Sequence, residues 1–312
     1  MDGLFVVDKP AGPTSHDVVA RMRRVLGERR IGHTGTLDPA ATGVLPLVLG
    51  RATRLARFLS ARDKSYDAVI RLGVATDTYD GRGAAVGPRH DGAWPSREEI
   101  AAALERFRGT FEQQPPAFSA KKIDGRRSYT LAREAASQLF PSGRSLPAPP
   151  ALPALPAPVS VSVHRLQILS LEGDLVALSL DCSAGFYVRS LAHDLGETLG
   201  TGAHLAALRR TRSGDFTLAD SLPLAAAEDD RDAALAAVIP LDRMLLSLSA
   251  VVLTEQGARH AAHGRDLGAS DVAGGAIGAA EVCRLLNQSG ELVGIGQPAR
   301  APGLLHPSVV LV

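Results

Sequence analysis

Within twelve residues, Gly32-His33-Thr34-Gly35-Thr36-Leu37-Asp38-Pro39-Ala40-Ala41-Thr42-Gly43 gathers one carboxylate, one imidazole and three hydroxyls. Three glycines let a ligand approach the backbone, and the threonines supply donors and acceptors. Pro39 disfavours a helical conformation at Asp38, so the carboxylate is presented from an extended loop. The residues alone leave two readings open: a reactive carboxylate, or the head of an Asx-turn that only fixes the loop. A phosphate cradle of the Walker type is disfavoured, because its lysine follows neither Gly35 nor Gly43. A glycoside hydrolase would bring a pair of carboxylates, and no second one is evident near Asp38.

Elements on either side must hold this loop. Residues 4–7 read as a short strand closed by Lys9-Pro10-Ala11-Gly12-Pro13. Ser15 is the expected N-cap of a helix with Val18, Val19, Met22 and Val25/Leu26 on one face, stopped by Gly27. The loop, over residues 32–43, leads into the apolar run 44–49 and a helix over 52–60 with Leu55, Phe58 and Leu59 inward. Residues 65–74 alternate as a half-buried strand, with Tyr66, Ala68, Ile70 and Leu72 on one face. A turn over 76–81 follows. Ser96-Arg97-Glu98-Glu99 has capping-box spacing and opens a helix with Ile100, Leu104 and Phe107 inward, ended by Gly109.

Residues 141–158 are rich in proline and alanine, an extended or flexible segment. A strand over 175–182 precedes an amphipathic helix over 190–199 that Gly200 ends. Residues 222–249 are Ala/Leu-rich and expected to be helical. Short β-type runs dominate from Val251. Those over 281–286 and 291–295 flank Gln288-Ser289-Gly290 as a hairpin, and 309–312 is a last strand.

At 312 residues the chain has room for two domains. Cys182 and Cys283 stand far apart with no CxxC pair, so disulfide scaffolding and structural zinc are not expected. No apolar run reaches spanning length and the N-terminus carries no signal pattern, so a soluble, cytoplasmic protein is expected. Net charge is only +1, but residues 1–60 hold nine Lys/Arg against five Asp/Glu, and 115–145 hold six against two. Either stretch is a basic surface for nucleic acid or merely a solvated helix face.

The run from Gly32 to Gly43, continued by Val44-Leu45-Pro46, resembles the catalytic signature of the TruB family of tRNA pseudouridine synthases. More of that family's pattern follows in order: Asp8-Lys9-Pro10, Lys64-Ser65-Tyr66, Thr76-Asp77-Thr78 and Pro115-Pro116-Ala117-Phe118-Ser119-Ala120-Lys121-Lys122, with Gly125, Tyr129, Ala132 and Arg133. Cys182-Ser183-Ala184-Gly185-Phe186-Tyr187-Val188-Arg189 and Gly202-Ala203-His204-Leu205 through Leu208-Arg209-Arg210 complete it. The resemblance implies an isomerase that converts uridine 55 in the tRNA T-loop to pseudouridine. It implies an α+β fold with a mixed, mainly antiparallel sheet and flanking helices. A catalytic domain over 1–248 would be followed by a small β-rich, PUA-like RNA-binding domain over 249–312.

Roles come with the resemblance. Asp38 matches the nucleophile, Tyr66 the active-site tyrosine and Arg189 the arginine paired with the aspartate. Tyr187 and Leu208 match the uracil pocket, His33 the histidine that meets the flipped loop, and Lys121, Lys122, Arg126, Arg127 and Arg133 a segment that closes on RNA. Lys9 is expected to contact RNA as well. In an extended segment Tyr187 and Arg189 would face one side, with Phe186 and Val188 toward the core. Read without the resemblance, Arg189 is equally a structural ion-pair partner and Tyr66 a core tyrosine. Phe118 stands where the family usually has tyrosine, and 141–158 looks like an insertion. The resemblance implies no metal or organic cofactor, tRNA as partner and a monomer. A catalytically silent tRNA-folding protein on the same scaffold is the alternative, and the presence of Asp38, Tyr66 and Arg189 argues against it.

Overall fold

These periodicities resolve into two units, one formed by Met1–Arg62 with Thr211–Val312, the other by Asp63–Arg210. The computed structural model describes residues 1–118, 122–123, 126–127, 156–274 and 282–311. It is an α+β fold of mixed sheets flanked by helices.

The first stretch runs β1 (Gly3–Lys9), α1 (Ser15–Leu26), β2 (Ile31–His33), β3 (Thr42–Leu49), a 3-10 turn over Gly50–Leu55 and α2 (Ala56–Ser60). β1 and β3 pair antiparallel with Lys9 opposite Gly43, and β2 also pairs with β3. The expected loop over 32–43 therefore begins and ends as strand. The N-cap of α1 is Thr14, not Ser15. Thr14 Oγ1 accepts from Asp17 N, and the Asp17 carboxylate accepts from Thr14 N in a capping box. Gly27, at φ +68, ends the helix as expected. The helix expected over 52–60 is tighter at its start, where the Thr53 hydroxyl donates back to Gly50 O at 2.7 Å.

The middle unit carries β4 (Lys64–Leu72), β5 (Ala75–Thr76), β6 (Ala85–Val86), α3 (Arg97–Glu105) and β7 (Gly109–Gln113). β8 (Lys122–Ile123), β9 (Arg126–Arg127), β10 (Val159–Glu172), β11 (Leu175–Cys182) and α4 (Val188–Leu199) follow, and β12 (Ala203–Ser213) leads out of the unit. The order β12-β4-β11-β10-β7 has antiparallel pairs from β4 to β7, and β8 with β9 forms a separate hairpin. Tyr66, Ala68, Ile70 and Leu72 all face the core, beside Leu178, Leu180, Leu191 and Leu195. Ser96 and Glu99 form the expected capping box, and Ile100, Leu104 and Phe107 are buried. The helix ends at Glu105, and Gly109 at φ +71 opens β7 instead of closing α3.

Back in the first unit, β13 (Phe216–Thr217) pairs with β12 and β14 (Leu222–Pro223) joins β1 in parallel. The Ala/Leu-rich stretch expected to be helical over 222–249 is α-helical only in α5 (Leu224–Asp229) and α6 (Arg231–Ala236), with a 3-10 turn over Leu241–Arg243 beyond them. Asp230 breaks it: its backbone is extended and its carboxylate accepts from Ala233 N at 2.9 Å, starting a new helix. The final segment holds β15 (Ser249–Leu253), α7 (Glu255–Ala262), β16 (Val272–Gly274), β17 (Cys283–Leu286), β18 (Leu292–Pro298) and β19 (Leu305–Val310) in the order β16-β15-β17-β18-β19. The hairpin around residues 288–290 is present, the last strand starts four residues earlier than expected, and α7 is an element the sequence pattern did not announce. Leu292, Ile295 and Leu311 share one core with Leu4, Val6, Val44 and Val48, and Arg54 donates to Val310 O at 2.6 Å. Among the described residues no helix is long and apolar enough to cross a membrane.

Candidate active site

Asp38 lies outside the strands and half-buried, in the non-helical backbone that Pro39 dictates. Its carbonyl accepts from Ala41 N at 3.0 Å, closing a tight turn. Three neighbours tie that turn down. Ser15 Oγ, which is buried, accepts from Leu37 N at 2.9 Å and donates to Leu37 O at 3.0 Å. Gly12 N donates to Pro39 O at 2.8 Å. Lys9 Nζ donates to Ala41 O and Pro10 O at 2.8 Å each and reaches Pro39 O at 3.3 Å. The backbone is thus pinned at residues 37, 39 and 41, on both sides of the carboxylate.

Lys9 is fully buried. Burying an ammonium is costly unless its N–H bonds are satisfied, and the three carbonyls accept from it. Its place is under the loop and not on an outer surface. Strand spacing alone did not reveal this, although a lysine ending a strand beside Pro10 was the available signal. Ser15 is a supporting residue that sequence reasoning assigned to a cap. His33 ends β2 and meets His16 edge to face, with ring centroids 5.3 Å apart.

In the middle unit Tyr66 sits on β4 opposite Leu180 and is 8% exposed. Tyr187 and Arg189 do not share an extended segment. α4 begins at Val188, with Tyr187 as its N-cap and Arg189 in its first turn. Gln113 sets this start by gripping the backbone of Tyr187: Tyr187 N donates to Gln113 Oε1 at 2.8 Å, and Gln113 Nε2 donates to Tyr187 O at 3.0 Å. Leu191 N then takes Tyr187 O as the first helical acceptor. Phe186 and Val188 are buried as expected, but so is Arg189. The Arg189 guanidinium donates to Thr78 O at 3.1 Å and to Phe118 O at 2.9 Å. Residue 118 meets the arginine through its carbonyl, so the ring that replaces the family's tyrosine leaves that contact intact.

Leu208 lies on β12, half-buried against the core of the unit. Buried Lys64, two residues before Tyr66, has its ammonium pKa pushed down to about 8, by burial first and the Arg210 charge second. Lys122, Arg126 and Arg127 belong to the β8–β9 hairpin, Lys122 opposite Arg127. Lys121, Arg133 and residues 141–155 of the expected insertion lie outside the described residues. Among the described residues no cluster of His, Cys, Asp and Glu has the makings of a metal site.

Residues 23–142 match the family model of the TruB family pseudouridylate synthase (N terminal domain), and residues 189–252 match that of the tRNA pseudouridylate synthase B C-terminal domain. A tRNA pseudouridine synthase B of Solibacter usitatus is 42% identical over 316 residues, covering 100% of both chains. One of Gloeobacter violaceus is 47% identical over 256 residues, covering 81% of this chain and 82% of its own. Among solved structures, a chain of a Cbf5-Nop10-Gar1 complex superposes with a TM-score of 0.73 at 26% identity, covering 99% of this chain and 85% of its own. A chain of an H/ACA RNP bound to a substrate RNA containing 2'-deoxyuridine gives 0.71 at 25% identity, with the same coverage.

Proposed function

This chain belongs to the TruB family of pseudouridylate synthases, and on that premise we propose that it converts uridine 55 in the T-loop of tRNA to pseudouridine, with Asp38 as nucleophile. It is an isomerase. The C1′–N1 bond of the uridine breaks, uracil turns within the pocket, and a C1′–C5 bond forms. The C5 hydrogen leaves as a proton and N1 gains one, so no electrons are exchanged and no water is consumed.

The observation that supports Asp38 most is the bracing of its turn through Ser15, Gly12 and Lys9. A nucleophile must reach its target from a fixed origin, and a braced backbone supplies one. A carboxylate in a pocket closed around a base gives up hydration that stabilises its charge. A permanent guanidinium charge nearby offsets this, and Arg189 has that role in our reading. The base has to leave its stack first, at a cost of a few kcal/mol that pocket and phosphate contacts offset. His33 fills the vacated place in the loop, while Tyr187 and Leu208 line the uracil pocket. Tyr66 stacks on the base and, if the reaction passes through a glycal formed by loss of the C2′ proton, takes that proton and returns it to C2′ as the C1′–C5 bond forms. Direct attack of Asp38 on C1′ is the other route.

Lys121, Lys122, Arg126 and Arg127 supply phosphate contacts, which position RNA without reading its sequence. Residues 249–312 act as a PUA-like RNA-binding domain, and residues 1–248 as the catalytic domain. Assistance with tRNA folding is compatible with catalysis on this scaffold. Cytoplasmic residence and a monomeric working state complete the reading. The test is to incubate an unmodified tRNA transcript with the protein and map pseudouridine by carbodiimide adducts that stop primer extension. One new stop at position 55 is expected. Stops elsewhere, or none, would overturn the substrate assignment.

A further inference from the structure

The turn that receives Arg189 is held by a contact that the isomerisation leaves unexplained. Thr78 O accepts from the guanidinium, and the orientation of that carbonyl depends on φ of the next residue, Tyr79. Tyr79 is left-handed, at φ +63, which is unfavourable for a bulky side chain. Its ring lies flat on His193, with centroids 3.9 Å apart and planes 8° from parallel. His193 follows Arg189 by four residues on α4, so both side chains leave the same helix face. The Nδ1 atom of His193 is buried with no hydrogen-bond partner. Around the stack, Thr76 Oγ1 donates to Asp80 O at 2.7 Å, Thr78 Oγ1 donates to Asp80 Oδ1 at 2.8 Å, and Leu205 N donates to Tyr79 O at 2.9 Å.

We propose that the Tyr79–His193 stack is a positioning element that holds Tyr79 left-handed, aims the Thr78 carbonyl at Arg189 and so fixes where the guanidinium lies. Neither ring touches substrate in this scheme. The inference rests on the role given to Arg189 above. It assigns work to two residues outside the motifs that carry the family resemblance.

Steady-state kinetics on tRNA decides it. Tyr79→Gly removes the ring and leaves a residue that takes left-handed and other conformations about equally, so the backbone loses the stack's hold without gaining strain. It should lower kcat between about tenfold and about a hundredfold with KM unchanged, the range that a slightly misplaced group costs. His193→Ala should do the same, and the double variant should lose no more than the worse single one, because each removes the same contact. His193→Phe, which restores a flat ring, should recover kcat. Full kcat in either ring-deleting variant, multiplied losses in the double variant, a change confined to KM, or failure of His193→Phe to rescue would each overturn the proposal. If His193→Ala does not fold, Tyr79→Gly and His193→Phe decide it. Arg189→Ala separates the two ideas. Wild-type kcat there removes the premise, and with it the proposal. A loss there beside full kcat in Tyr79→Gly removes the stack alone.

Discussion

Replacing Ser15 with alanine separates holding the fold from aiming Asp38, the proposed nucleophile. The Ser15 hydroxyl meets both the amide and the carbonyl of Leu37, the residue before Asp38, and Ser15 itself is only 1% exposed. Alanine leaves the Leu37 amide buried and unsatisfied, which costs roughly 1–3 kcal/mol. The backbone escapes part of that by shifting toward another partner, and Asp38 shifts with it. A displacement of about 1 Å costs on the order of a hundredfold in rate. Thr14→Ala is the control. It removes the true N-cap of the same helix, at about 0.5–2 kcal/mol, without touching Leu37. Urea unfolding reports the stability loss of each variant, and single-turnover pseudouridine formation on tRNA reports the rate. Comparable destabilisation is expected in the two, with the large rate loss confined to Ser15→Ala. Equal rates at equal destabilisation would refute the bracing argument.

Further outcomes follow from the same account. Lys64 titrates near 8 when folded, against an ordinary 10.5, so between those values the unfolded chain holds more protons and stability rises with pH. Unfolding free energies from urea titrations should climb across that window by at most roughly 1.4 kcal/mol per pH unit, and Lys64→Met should flatten the climb; an unchanged climb in the variant would contradict the assignment. Phe118→Tyr should leave kcat unchanged, because it is the carbonyl of residue 118 that meets Arg189. A substantial loss or gain would show that the ring itself matters. In tRNA binding, Arg126→Ala should reduce the slope of log affinity against log salt by about 0.7–0.9, one phosphate contact's worth. Lys9→Met should leave that slope alone while destabilising the protein, since its ammonium faces the carbonyls under the Asp38 turn. The reverse pattern would return Lys9 to the RNA surface.

What the sequence disclosed was decided locally. Alternation placed Tyr66, Ala68, Ile70 and Leu72 on one buried face, Ser96 and Glu99 announced a capping box, and Gly27 and Gly200 ended their helices. What it hid was decided at long range. Thr14 and Ser15 are both good caps, and the choice between them turns on Leu37, twenty-two residues away. The start of α4 depends on Gln113, seventy-four residues before Tyr187, so spacing alone misread Arg189 as part of an extended segment. The inward turn of Lys9 depends on strand register. Motif resemblance therefore nominated the candidate reacting groups, while the residues that brace them became visible only in three dimensions.

Asp38 carries the bond-making step in this account, and a tRNA labelled with tritium at C5 of uridine tests that most directly. Wild-type protein should release the label to solvent as pseudouridine forms. Asp38→Ala should bind the same tRNA and release none. Release by Asp38→Ala at the wild-type rate would contradict the account.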